Sequence, residues 1–256
     1  MKIQIFDVIK QGIGLSFRDK TVLSLIALYS ISGIVFAIAM EPFAIEQEGL
    51  NEVAYPSVLP DIGINEGLFF FASIIISIII YYAIAKATFE NLNKREGSVS
   101  DAIVSVLKKI IPIFIAGIIY FIVVIIGIIA LIIPGIFLAI AFFFYSHSIL
   151  LNNKGIFTSF EESYNIVKGN WWQVFTLYLI LIIISVLIGL LFGSPGFFFP
   201  TPSVLMVVSY FVAGIAMVVY TIIYFQLTKR GEKIEEGVVN IETIQEKQVK
   251  TRTRKR

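Results

Sequence analysis

The chain has 256 residues, of which 57% are apolar and 15% charged, and its net charge is +2. Soluble domains carry about 25% charged residues, so this composition excludes a soluble globular protein and places the charges between long bilayer-spanning runs. With no cysteine in the chain, disulfides, thiolate metal sites and cysteine nucleophiles are excluded.

Residues 2–20 put Phe6, Ile9, Ile13 and Phe17 on one helical face, with Asp7, Lys10, Gln11 and Arg18 elsewhere. That pattern predicts an amphipathic helix in the membrane interface. A first span follows over about 21–40. Residues 41–67 hold six acids (Glu41, Glu46, Glu48, Glu52, Asp61, Glu66) and no Lys or Arg. Their spacing does not match a calcium loop, so the segment reads as a solvated loop with no metal.

The second span covers about 68–89, with Lys86 close enough to its end to snorkel. Ser98 and Asp101 then fit a capping box that opens a short helix. From Ile110 to Leu151 the chain is apolar for two crossings. Its one punctuation, Pro134-Gly135, predicts a tight hairpin bend between spans over 110–133 and 136–151. Thr158 and Glu161 fit a second capping box, giving a helix with Phe160, Tyr164, Val167 and Trp171 on its buried face. Gly169-Asn170 ends it.

The fifth span, 171–192, opens on Trp171-Trp172, a pair suited to the membrane interface. Ser185, Gly189 and Gly193 recur every four residues in it, a stripe for close helix packing. The sixth span covers about 203–227, and residues 231–256 form a basic tail. These limits give one six-span membrane domain over 1–230. The fold class is all-α: a polytopic integral membrane protein whose spans are joined by interfacial amphipathic helices. Three times, a short amphipathic leader precedes a pair of spans, as in a parallel repeat.

All 20 Lys and Arg fall in the leaders, the inner end of span two or the tail, and none in the three alternate loops. The positive-inside rule therefore predicts both termini in the cytoplasm, and the heavy use of Ile fits a microbe, so the expected location is the plasma membrane of a bacterium or archaeon.

The predicted interior holds hydroxyls (Tyr29, Ser32, Ser77, Tyr81, Tyr120, Tyr178, Ser185, Tyr210) and no Asp, Glu or Arg. Ion-coupled transport usually needs buried ionisable groups, so a secondary active transporter is disfavoured. A passive channel or permease for a small solute or lipid is an alternative reading. His147 stands between Ser146 and Ser148; as an intramembrane hydrolase it needs a carboxylate, which only Glu161 or Glu162 can bring by folding back. No catalytic residue, cofactor or metal ligand is assigned. Five cations in the tail (Lys250, Arg252, Arg254, Lys255 and Arg256) are suited to anionic lipid headgroups. No aromatic residues interleave them, and no nucleic acid is expected.

Pro134-Gly135, Ser163 and the run Lys168-Gly169-Asn170-Trp171-Trp172 resemble the six-span membrane domain found alongside glycerophosphoryl diester phosphodiesterases, and stand-alone prokaryotic proteins of that type. The resemblance implies a membrane-embedded accessory module. It implies no phosphodiesterase activity, because that chemistry belongs to a separate soluble barrel. The expected function is a non-enzymatic module that organises or anchors a protein partner and contacts lipid. Ser163, Lys168, Asn170, Trp171 and Trp172 are its candidate contact surface.

Overall fold

The computed structural model describes residues 4–40, 63–193 and 206–229, and among these there are helices and no strand. In chain order they are α1 (Ile5–Arg18), α2 (Lys20–Met40), α3 (Ile64–Leu92), α4 (Val99–Leu107), α5 (Ile110–Ala130), α6 (Ile132–Ala141), α7 (Tyr145–Leu151), α8 (Ile156–Lys168) and α9 (Trp171–Gly193). The last, α10, is Met206–Lys229. Six segments are long and apolar enough to cross a membrane: α2, α3, α5, α6 with α7, α9 and α10. The acidic residues 41–62, the loop after α9 and the tail with Lys250, Arg252, Arg254, Lys255 and Arg256 lie outside the described residues.

The buried centre joins α2, α3, α7, α9 and α10. Leu25, Ile26, Ile84, Ile149, Leu177, Met217, Ile222 and Ile223 are all within 2% of full burial there. Lipid tails are as apolar as these side chains, so close van der Waals packing is the attraction between the helices. Two buried hydroxyls bond within their own helices: Ser30 donates to the Ile26 carbonyl at 2.8 Å and Thr221 to that of Met217 at 2.9 Å.

The first leader is helical, as expected, and the side it packs on the protein is not its large apolar stripe. Val8, Gly12 and Ser16 are buried, while Phe6, Ile13 and Phe17 are 82%, 45% and 55% exposed. Gly12 sits where any Cβ would collide with Val219 of α10. The seam therefore selects small residues and leaves the aromatic stripe outside. Asp19 is extended and its carboxylate accepts the Val22 N–H at 2.9 Å, so it ends α1 and caps α2. Its other oxygen accepts from Asn91 at the end of α3.

The second span is longer than expected, reaching from Ile64 to Leu92. Glu66 accepts the Gly63 N–H at 3.0 Å and anchors its start. Lys86 is still inside the helix and pairs with Glu90 at 3.1 Å, one turn on. The Ser98 cap forms as predicted, accepting the Asp101 N–H at 3.1 Å.

Pro134-Gly135 is not the bend of the apolar hairpin. The chain turns at Leu131, which is extended, and Pro134 lies in the first turn of α6. That is where a missing N–H costs nothing. Gly135 instead meets the partner helix, where an added Cβ would stand 2.8 Å from the Ile128 Cα. The fourth segment is also broken, at Phe142–Phe144, into α6 and α7.

The helix after it begins at Ile156, earlier than the predicted box. Thr158 donates its hydroxyl to the Gly155 carbonyl at 3.0 Å and so caps nothing. Its buried residues are Ser159, Ser163 and Val167; Phe160 and Tyr164 are only half-buried.

Candidate functional site

The break between α6 and α7 frees one carbonyl and one amide inside the protein. Ser163 satisfies both, donating to the Ala141 carbonyl at 2.9 Å and accepting the Phe144 N–H at 3.1 Å. It is 0% exposed. The expected contact surface therefore loses Ser163, which holds α8 against the broken segment.

The other four residues meet at the elbow between α8 and α9. The Asn170 N–H bonds the Val167 carbonyl at 2.8 Å and the Asn170 carbonyl accepts from Val174 at 3.1 Å, so one residue closes α8 and opens α9. Trp171 lies between Phe137 and Phe175, with ring centroids 5.8 and 5.1 Å away. Its indole N–H reaches toward the Phe137 carbonyl at 3.4 Å. Trp172 is edge-on to Trp171 and 73% exposed. Lys168 is exposed, with its Nζ 5.7 Å from the Tyr164 ring centroid. Together with Ile133, Ile136 and Phe137 these residues line a groove of about 740 Å³. One wall is hydrocarbon and the rim carries an amino group, an amide and an indole. Such a rim suits an amphiphile or the wet edge of a partner.

Adjacent to the elbow is a polar cluster that links three helices. Asn152 donates to the Glu162 carboxylate at 2.6 Å and to the Tyr224 hydroxyl at 2.8 Å. Glu162 thus folds back as a hydrolase would require, but it reaches Asn152 and Tyr224 instead of His147. The His147 Nε2 has Thr221 at 3.4 Å, and its Nδ1 is buried with no partner among the described residues.

Deeper in the bundle is a cavity of about 260 Å³ walled by Tyr81, Tyr82, Tyr120, Tyr145, Tyr178 and Tyr220, with His147 and Ser146. Of the hydroxyls singled out in the sequence, Tyr81, Tyr120 and Tyr178 meet here. Tyr29, Ser32, Ser77 and Tyr210 gather in a second group, where Ser77 donates to Ser32 at 3.1 Å and the Tyr29 and Tyr210 rings lie 4.7 Å apart. Tyr82, Tyr145 and Tyr220 were missed. Tyr82 directly follows the marked Tyr81, but Tyr145 and Tyr220 have no marked neighbour within two turns, and the face of Tyr145 depends on the α6–α7 break. Ser185 bonds the Leu181 carbonyl at 2.9 Å and is exposed in α9. Gly189 and Gly193 continue that helix, and what packs on them lies outside the described side chains.

A family model described as a domain of unknown function, DUF7847, matches residues 3–228. That match carries no link to glycerophosphoryl diester phosphodiesterases. No curated protein and no solved structure matches the chain.

Proposed function

We propose that this chain, which belongs to the DUF7847 family, is a non-enzymatic membrane module that organises a partner complex and holds anionic lipid at the α8–α9 elbow. The supporting observation is the groove of about 740 Å³, where exposed Lys168 and Trp172 face Ile133, Ile136 and Phe137. A lysine amino group beside an indole and an apolar wall matches a lipid headgroup and its first methylenes. The likeness to the domain that accompanies glycerophosphoryl diester phosphodiesterases supports an accessory role beside a soluble enzyme. The Lys and Arg distribution supports cytoplasmic termini, the Ile-rich composition fits a prokaryotic plasma membrane, and the basic tail adds a second lipid contact. Purification in mild detergent tests the reading: wild type brings down a defined protein and anionic lipid, and Lys168→Ala with Trp172→Ala loses them without loss of fold. Unchanged co-purification in that double variant, or none in wild type, overturns it.

The tyrosine-walled cavity favours a second reading, a passive site or pathway for a small uncharged solute. Flux into liposomes across ions, polyols and labelled lipids tests it. Flux no greater than in empty vesicles removes it.

A further inference from the structure

We infer that the α5–α6 hairpin does not cross the bilayer but lies within one leaflet as an apolar wedge, with its long axis close to the membrane plane. The register between the two helices comes first. Gly127 meets Gly135, and the Tyr120 hydroxyl donates to the Ala139 carbonyl at 3.0 Å. Phe137 therefore stands opposite residues 122–126 of α5. Those residues are about 20–25 Å along the helix axis from Lys109, at 1.5 Å per residue.

The elbow is fixed to that same place. Trp171 stacks on Phe137, and Lys168 and Asn170 share a groove with Ile133 and Ile136. If the hairpin stood upright from Lys108 and Lys109, the elbow would be about two-thirds or more of the way through a ~30 Å hydrocarbon core. The surface of α8 forbids that. Thr158, Glu161, Asn165 and Lys168 form one exposed stripe along the whole helix. Between its ends, α8 is tied to the hairpin by Ser163 and by Phe160, whose ring lies 5.4 Å from that of Phe142. The exposed charges of Glu161, midway along α8, and Lys168, at its end, need water, and a lysine stem snorkels only a few ångströms. Water at Lys109 and water at Lys168 are reconciled when the ~20–25 Å between them runs along the surface and not across it.

The hairpin's own surface fits this placement. Phe114, Phe121, Ile126, Ile129 and Ile132 are each at least 60% exposed, and every one is apolar. Two packed helices are about 10 Å thick, which a ~15 Å leaflet accommodates. The occupant of this face is the acyl chains of the leaflet that carries α8, with headgroups at Lys108, Lys109 and Lys168. Four helices, α2, α3, α9 and α10, then make the crossings. A wedge of this kind adds area to one leaflet and favours a curved bilayer.

The chain has no cysteine, so single-cysteine variants test this directly. Ile133→Cys reports the hairpin tip, at a residue 81% exposed. Lys154→Cys marks the α8 side and Ile64→Cys the far end of α3. The full chain is reconstituted in vesicles of one orientation, and each variant is tagged with a small fluorophore. Quenchers confined to the headgroups of one leaflet at a time are then applied. The expected result is that Ile133→Cys is quenched from the same leaflet as Lys154→Cys, at least several-fold more than from the leaflet that quenches Ile64→Cys. Quenching of Ile133→Cys with Ile64→Cys, or equally from both leaflets, overturns the wedge. If Ile133→Cys does not fold, Leu131→Cys, 68% exposed at the turn, gives the same readout.

Discussion

The Ser163 hydroxyl accepts the Phe144 amide at 3.1 Å, across the break that divides the fourth apolar segment. The same oxygen donates to Ala141, so one side chain replaces two missing helical bonds. Ser163→Ala leaves a buried donor and a buried acceptor unpaired, at about 1–3 kcal/mol each. The expected outcome is a clear drop in thermal midpoint in detergent. Ser163→Thr, which keeps the hydroxyl, recovers much of it if its methyl is accommodated.

The two tryptophans are expected to separate cleanly. Trp171 is half-buried and stacked on Phe137 and Phe175, and Trp171→Ala removes two ring contacts, for about 1–3 kcal/mol at about 0.5–1.5 kcal/mol each. Trp172 is 73% exposed, so Trp172→Ala leaves the melting curve within about 0.5 kcal/mol of wild type. Paired melts of the two variants decide this.

Gly12 and Gly135 are positions where side-chain volume is excluded. A Cβ at Gly12 overlaps the Val219 side chain, and one at Gly135 overlaps Ile128 backbone. Val219 can rotate, whereas backbone cannot. Gly135→Ala is therefore expected to cost more than Gly12→Ala, with about 1–3 kcal/mol for overpacking as the scale. Denaturant titration of both variants measures the order.

Glu162→Ala removes the acceptor that Asn152 bonds at 2.6 Å. The Asn152 amide and Tyr224 hydroxyl retain each other at 2.8 Å, so the loss is expected to be partial, about 1–3 kcal/mol. Combining Glu162→Ala with Asn152→Ala should cost less than the two single losses added together, because they share one network.

The six long apolar segments were legible because an apolar run of membrane length needs no tertiary information. The Ser98 cap was legible for a similar reason, since its partner Asp101 is three residues away. Thr158 and Glu161 have the same spacing and form no box, because Gly155 sets the helix start and Thr158 turns its hydroxyl to that carbonyl. The protein-facing side of α1 was not legible, because its contact is with Val219, about 200 residues further along the chain. Large apolar residues draw the eye, but a close helix contact selects Val8, Gly12 and Ser16. The break at Phe142–Phe144 has no proline or glycine to announce it. It is held by Ser163, a partner 19 residues away from Phe144, and the cavity wall contributed by Tyr145 and Ser146 follows from it.

The chain contains two tryptophans in all, and both stand at the elbow. Indole emission from the intact protein is thus a spectroscopic report on one place. Trp171 is half-buried beside Phe137 and Phe175, Trp172 is exposed and both line the groove, so a lipid or protein settling there would register in the emission of the pair.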